Sequence, residues 1–229
     1  MKDLRLCVLH ERAVAGYINH FTYANADNPT NDVGFSDILL SFNNRTAWLE
    51  TKMTVDSNMI NTRVRYLSGI WTCRGMSPVG DYICQILTNS DHAKGFIDDM
   101  SRFVSRDMNI DDNWPTLIEM KDFMTHYPDH YIHWQEDVDI SEILRLHYLQ
   151  SKCKCTHYLQ AGDNFYRISE HDPLGLSSDI PVFAARGTLK VRVSLRSKRY
   201  EMQAEVKVKS FNQSGYSVFP FTQKKCPFA

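Results

Sequence analysis

The chain has 229 residues, 43% of them hydrophobic, and a formal net charge of −1. This length and composition are typical of a soluble globular protein with one good hydrophobic core and a smaller second one. No apolar run is long enough to span a bilayer, and no secretory apolar region follows the first residues. We therefore expect a cytoplasmic protein that does not act at membranes.

The first predicted helix covers residues 10–21 and carries a carboxylate on its apolar side. Glu11 lies at helical spacing with Val14, Ala15 and Ile18, so its carboxylate shares a face with side chains that should point inward. A carboxylate on a buried face is unusual unless it has a partner. A glutamate at the border of the helix that simply reaches water would give the same pattern.

Two predicted strands follow, and each carries charge that an apolar strand does not favour. Asp37 opens the first strand, and Glu50 and Lys52 lie in the second, with a turn at Asn43-Asn44 between them. Because side chains alternate along a strand, Glu50 and Lys52 share one face, and a hairpin brings the Asp37 carboxylate to the same place. Two carboxylates without a cation would be costly there, and a hard divalent ion supplies one. An exposed cross-strand ion pair is the alternative interpretation.

This pattern resembles the motif of the PD-(D/E)xK nuclease superfamily. An aspartate opens one strand at Ser36-Asp37, with Ser36 in the place of the proline, and a Glu-x-Lys triplet follows at Glu50-Thr51-Lys52. The resemblance covers about residues 8–90, with 82–88 as the later strand. It implies an α/β (α+β) fold with a restriction-endonuclease-like core, in which helices flank a mixed central sheet. Glu11 on the first helix would face the site.

Two further Glu-x-Lys triplets show how easily the motif arises by chance. Glu119-Met120-Lys121 lies in a helical pattern over 116–126, and helical geometry would splay its two charges. Glu205-Val206-Lys207 lies in a strand pattern, but no aspartate opens a neighbouring strand close before it in the chain. The triplet at 50–52 is therefore the best candidate, and that at 205–207 is its main competitor.

The resemblance implies a Mg²⁺- or Mn²⁺-dependent endonuclease that hydrolyses DNA phosphodiester bonds with a metal-activated water. Asp37 and Glu50, with the backbone carbonyl of Thr51, would hold the ion. Lys52 would orient or deprotonate the attacking water, and Glu11 would bind a second ion or a coordinated water. An RNA endonuclease, and a nucleic-acid-binding or assembly protein that no longer cuts, are the alternatives. A double-strand cutter with one site per chain is expected to form a homodimer.

Four basic residues outside this motif are candidates for nucleic-acid binding. Arg63 and Arg65 lie on a helix predicted over 59–71, where they could meet phosphates. Lys190 and Arg192 share one face of a predicted strand within a basic C-terminal region. That region, from residue 186 onward, has ten Lys or Arg against two Glu. Solvated helix and strand faces would look the same.

The composition divides the chain into three consecutive sections. We expect a nuclease core over 1–110, an acidic helical section over 111–152 and a β-rich basic subdomain over 153–229. Between Asp98 and Glu142 there are twelve acidic residues against three basic ones. Helices are predicted at 90–105, 116–126 and 139–151, and strands at 157–159, 164–168, 189–195 and 200–211.

A zinc site is a weaker hypothesis for the segment around residue 155. On a strand, Cys153, Cys155 and His157 would share a face, as zinc ligands must. A closed tetrahedral site also needs a fourth ligand, which Cys226 or His147 could supply. Nothing in the spacing requires either of them to do so.

Overall fold

We describe the protein from a computed structural model. The structure describes residues 2–28, 37–53, 58–67, 69–73, 75, 77–103, 133–150, 155–196, 199–219 and 223–229. Its helices there are α1 (Lys2–Phe21), α2 (Pro78–Thr88), α3 (Asp91–Phe103) and α4 (Ser141–Gln150). The strands are β1 (Asn25–Asp27), β2 (Ile38–Phe42), β3 (Arg45–Lys52), β4 (Asn58–Leu67), β5 (Ile70–Cys73), β6 (His133–Asp139), β7 (Thr156–Ala161), β8 (Asn164–Arg167), β9 (Ala185–Arg196) and β10 (Arg199–Phe211).

The chain forms two compact units, each assembled from segments that are distant in the sequence. The first unit comprises Met1–Ser57, Leu144–Ala185 and Lys209–Ala229, and the second comprises Asn58–Ile143 and Arg186–Val208. The three predicted sections, 1–110, 111–152 and 153–229, are consecutive along the chain instead. Along the chain, most of the second unit is inserted between β3 and β7 of the first.

The first unit is built on a five-stranded mixed sheet in the order β1-β2-β3-β7-β8. All its neighbouring strands are antiparallel except β3 and β7, which run parallel. Parallel neighbours need a long crossover connection, and α4 is the last element before β7. A helix, three antiparallel strands, a helix and a parallel strand therefore follow one another within this unit.

The apolar side of α1 closes the core of this unit. Val14 and Ile18 are fully buried and belong to one cluster with Ile38, Leu40 and Leu49 of β2 and β3. This burial follows from the helical spacing of the α1 residues and from the alternation along the two strands. The helix predicted at 10–21 is confirmed as part of a longer α1, which packs against β1 and β3.

The turn between β2 and β3 is also confirmed. Asn43 and Asn44 have φ angles of 50° and 60°, a left-handed conformation that asparagine tolerates better than most residues. Two positive φ angles are typical of the tight turns whose twist suits a hairpin. The hairpin pairs Phe42 with Arg45 and Ile38 with Leu49.

The second unit contains a five-stranded sheet in the order β5-β4-β10-β9-β6. One face of this sheet is apolar, and its residues are buried: Ile60, Val64, Trp71, Leu189, Val191, Met202, Ala204 and Val206. Within this unit α2 packs against β4 and β5, and α3 packs against β6. The apolar side chains alternate with polar ones on the other face, as expected for a sheet covered on one side.

The helix predicted over 59–71 is wrong, because β4 and β5 occupy these residues. Ile60 and Val64 alternate with Asn61, Arg63 and Arg65, which is the two-residue period of a strand. The β-branched residues of this segment also favour a strand. We expected a helix because the resemblance places one after the motif strands.

The strand predicted over 82–88 is wrong as well, because α2 lies there. The Ser77 side chain caps this helix by accepting a hydrogen bond from the Gly80 backbone N–H, and Pro78 occupies the first turn. Both are common start signals of a helix. Val79, Ile83 and Leu87 are buried along one side at helical spacing.

Several other predicted elements are confirmed. The helices at 90–105 and 139–151 correspond to α3 and α4, and the four C-terminal strands correspond to β7, β8, β9 and β10. The helix predicted at 116–126 lies outside the described residues. The mixed α+β class is confirmed by the two sheets and their helices. None of the helices in the described part of the chain is both long and apolar enough to cross a membrane.

Candidate active site

The hairpin of β2 and β3 brings two carboxylates together at its open end. Continuing the register that pairs Ile38 with Leu49 by one residue places Asp37 opposite Glu50. Directly opposite residues of neighbouring strands project from the same face, so the two side chains lie side by side. Glu50 is only 4% exposed and Asp37 is half-buried, so the pair is largely shielded from water.

Thr51 holds the carboxylate of Asp37 in place. Its backbone N–H donates to Asp37 Oδ2 over 2.7 Å, and its hydroxyl donates to the same oxygen over 3.2 Å. Burial, followed by the nearby charge of Glu50, raises the pKa of Asp37, although Lys52 and the two Thr51 hydrogen bonds act in the opposite direction. Burial and acidic crowding therefore outweigh the groups that stabilise the ionised form.

Lys52 forms an ion pair with the other member of the motif. Its Nζ lies 2.5 Å from Glu50 Oε1, and its side chain is 26% exposed. Burial alone would lower the pKa of Lys52, but Tyr148, Glu50 and Asp37 outweigh it and raise the pKa. Since the phenol of Tyr148 is neutral at neutral pH, the two carboxylates supply the charge that keeps this ammonium protonated.

Glu11 extends from α1 toward the same group. Burial, and then the charges of Asp37 and Glu50, raise the pKa of Glu11 to about 7. Lys52 opposes this shift, so all three motif side chains are close enough to influence the Glu11 carboxyl. The structure thus brings together the four side chains that the sequence analysis selected.

Tyr148 of α4 is a member of this cluster that the sequence analysis missed. It is 1% exposed, and burial raises the pKa of its phenol; the charge of Lys52 opposes this shift, and those of Glu50 and Asp37 add to it. Its helical spacing with Leu144 is the ordinary pattern of a core helix. Nothing in that pattern distinguishes a tyrosine beside a half-buried ammonium from one in a hydrophobic core.

The donor set has the chemistry that a hard divalent cation requires. Three carboxyl groups and one ammonium carry a formal charge of −2 when all are ionised, and carboxylate oxygens suit Mg²⁺ and Mn²⁺. As the side chains stand, no group of three or more His, Cys, Asp or Glu residues in the described part of the chain could hold a metal ion. Glu50 contacts Lys52 instead. The donors fit the ion in type and charge, but they do not form a ready-made chelate.

The predicted nucleic-acid-binding residues lie in the second unit. Arg63 and Arg65 are on β4 rather than on a helix. Lys190 and Arg192 are on β9 as expected. They form ion pairs with the buried carboxylate of Glu205, so they are not simply solvated charges on a strand face. In the sequence Glu205 belongs to the competing Glu-x-Lys triplet, and no local pattern there indicates its ion pairs with Lys190 and Arg192.

The zinc hypothesis gains no ligand set from the described residues. Cys155 is exposed, and His157 accepts a 3.4 Å hydrogen bond at Nδ1 from the Trp48 backbone N–H. The His157 and His171 rings lie 6.1 Å apart. Burial, and then His171, lowers the pKa of His157. Cys153 lies outside the described residues.

The candidate site of the first unit consists of a strand hairpin with three charged residues, a helix that adds a fourth and a second helix that adds a buried tyrosine. No protein-family model, curated protein or solved structure matches the chain.

Proposed function

We propose that the first unit is a Mg²⁺- or Mn²⁺-dependent endonuclease that hydrolyses phosphodiester bonds in DNA. The observation that carries this proposal is the meeting of Asp37 and Glu50 across β2 and β3, with Lys52 beside them. Groups with shifted pKa values that converge at one place are frequent at catalytic sites. Here the pKa values of Asp37, Lys52 and Glu11 are all raised.

The order of elements in the first unit supports a restriction-endonuclease-like core. The resemblance implies a helix, three antiparallel strands, a helix and a further strand. The same order is present as α1, β1 to β3, α4 and β7. In this interpretation β7 takes the place that we first assigned to residues 82–88, and the second unit is a large insertion before α4.

The charge of the site favours catalysis over binding alone. A surface that only holds nucleic acid gains nothing from three carboxyl groups directed at phosphates, because like charges repel. An ion pair with a purely structural role would need only Glu50 and Lys52, which lie two residues apart on β3. Asp37, which Thr51 orients, and Glu11, which reaches in from another element, are additional to such a pair.

Lys52 is suited to bind the attacking water and the phosphate rather than to act as a base at the start of the reaction. Its pKa is raised, so it is an ammonium at neutral pH and donates hydrogen bonds only. A fixed positive charge at this position offsets the negative charge that grows on the phosphate during attack. Tyr148 and Glu50 limit the movement of the ammonium, since both lie close to it.

Asp37, Glu50 and the backbone carbonyl of Thr51 would hold the metal ion. When bound, the ion would polarise a phosphoryl oxygen and lower the pKa of the attacking water. Glu11 would hold a second ion or a coordinated water. Because the pKa of Glu11 is about 7, this residue is partly protonated at neutral pH, and positive charge added nearby would favour its ionised form.

The proposal can be tested with supercoiled plasmid DNA. The native chain should nick or linearise the plasmid with Mg²⁺ or Mn²⁺ and should lose this activity with a chelator. Asp37→Ala should not cut, whereas Asp179→Ala, which removes an exposed aspartate of the same unit, should cut like the native chain. Thermal unfolding of both variants would show that they are folded.

Three outcomes would contradict the proposal. Undiminished cutting by Asp37→Ala would move the site elsewhere. Cutting of single-stranded RNA but not of DNA would favour the RNA endonuclease. Binding of DNA without any metal-dependent cutting by the native chain would favour the non-cleaving alternative. Sedimentation of the free protein would test the expected homodimer separately.

A further inference from the structure

The second unit carries a face of basic and polar residues opposite its apolar one. We call this the polar sheet face and define it by Arg63, Arg65, Lys190, Arg192, Gln203 and Glu205. The register pairs Arg63 with Gln203, so these residues of β4 and β10 share a face. Lys190 and Arg192 of β9 join them through their contacts with Glu205.

Glu205 organises the cations of this face. Its carboxylate is buried, with a side-chain exposure of 3%, and it lies 3.8 Å from Lys190 Nζ and in direct contact with Arg192 Nε. Arg192 also donates to Gln203 Oε1 over 3.5 Å. A buried carboxylate beneath two cations restricts their positions while about a quarter of each basic side chain stays exposed.

Positive charge dominates the face. Five basic side chains, the four already named and Arg186, compare with three carboxylates among the described side chains: Glu205, and Asp137 and Asp139, which the register places at one end opposite Thr188 and Arg186. β4 and β9 flank β10, so the cations span two strand spacings, or about 10 Å. An area of this width fits an extended polyanion better than a single small anion.

The composition of the face favours a duplex over a single strand. Proteins that bind single strands stack the bases on aromatic side chains. The described side chains of the polar sheet face include no aromatic ring, and Tyr66 and Trp71 belong to the opposite face by strand alternation. Arginine and lysine on a regular sheet can contact the phosphates of a duplex without reaching the bases.

We propose that the polar sheet face binds the phosphate backbone of double-stranded DNA without reading its sequence. The choice of DNA as the polyanion rests on the proposed function of the first unit. The surface would hold the substrate, and the side chains of the first unit would cut it.

The test is duplex binding by the full chain in the presence of a chelator, so that no cutting occurs. Fluorescence anisotropy with a labelled duplex should give a logarithm of affinity that falls linearly with the logarithm of salt concentration. Arg63→Gln should weaken binding and reduce that slope by about 0.9, the loss of one phosphate contact. Lys94→Gln is the matched control, because Lys94 is an exposed lysine on α3 of the same unit.

Lys190→Gln should act like Arg63→Gln, and a single strand of the same length should bind more weakly than the duplex. Equal effects of Arg63→Gln and Lys94→Gln would overturn this inference, as would tighter binding of the single strand.

Plasmid cutting by the native chain distinguishes the two proposals. Cutting together with normal duplex binding by Arg63→Gln would refute only the surface, whereas face-dependent binding without cutting would refute only the nuclease.

Discussion

Two Glu-x-Lys triplets lie on strands of this protein, and their surroundings differ in charge. Glu50 of the first unit and Glu205 of the second are both buried. Glu50 pairs with the lysine of its own triplet, Lys52, whereas Glu205 pairs with Lys190 and Arg192 of another strand while Lys207 is exposed. The chemistry of such a triplet therefore depends on the charged side chains that surround its glutamate.

The physical consequence is opposite in the two units. Around Glu50, the further carboxyl groups of Asp37 and Glu11 accumulate negative charge, and the pKa values of both are raised. This is the environment in which a divalent cation is favourable. Around Glu205, cations accumulate over one carboxylate, which favours binding of an external anion.

The largest difference is expected when the lysine of each triplet is replaced. Lys52→Met should reduce plasmid cutting by at least about 100-fold, because it removes the group that binds water and phosphate. Lys207→Met should cut like the native chain, because Lys207 lies outside the cluster around Asp37. The measurement is the rate of metal-dependent nicking at saturating DNA. Equal losses in both variants would remove the distinction between the triplets.

The second comparison breaks the ion pairs around Glu205. Arg192→Met leaves a buried carboxylate with a single cation and should lower the free energy of unfolding by about 3 kcal/mol. Glu205→Gln should cost less, about 1 kcal/mol, because the two cations it leaves are each about a quarter exposed and can turn to water. Urea unfolding measures both values, and the reverse order would show that Glu205 does not depend on these partners.

The third prediction concerns the turn that places Asp37 opposite Glu50. Asn44 has a φ angle of 60°, which a β-branched residue adopts only with strain. Asn44→Val should therefore lower the free energy of unfolding by about 2 kcal/mol. Asn44→Gly should not destabilise the protein, since glycine adopts this conformation freely. Urea unfolding of the pair checks this, and equal stability of the two variants would contradict it.

The smallest expected effect is a pH dependence from Glu11. Its pKa rises from 4.5 in the unfolded chain to about 7 in the folded one, so the folded state binds more protons between these values. Without metal, the stability of the folded protein should therefore fall as the pH rises from 4.5 to about 7. Solvent screening keeps this effect modest, because Glu11 is only partly buried.

Glu11→Gln should flatten this pH dependence, which thermal unfolding at several pH values would measure. Added Mg²⁺ should reduce the slope in the native chain, since it favours the ionised carboxylate. An unchanged slope in Glu11→Gln would assign the pH dependence to another group.

Sequence reasoning succeeded where the signal was local. Asp37, Glu50 and Lys52 were brought together by strand alternation and by a turn at Asn43-Asn44, both of which span only a few residues. It failed for 59–71 and 82–88, because the expected order of elements was given more weight than the alternation around Val64 and the start signals at Ser77 and Pro78. In both places the local pattern was present and correct.

By itself the sequence determined which residues could form the hairpin and which side chains would share its faces, because these follow from the period of a strand. Only the tertiary structure decided that Tyr148 lies beside Lys52 and that Glu205 forms ion pairs with Lys190 and Arg192. Tyr148 and Lys52 are nearly one hundred positions apart in the sequence. Contacts over such separations depend on how whole elements pack, and a local pattern of side chains does not specify that packing.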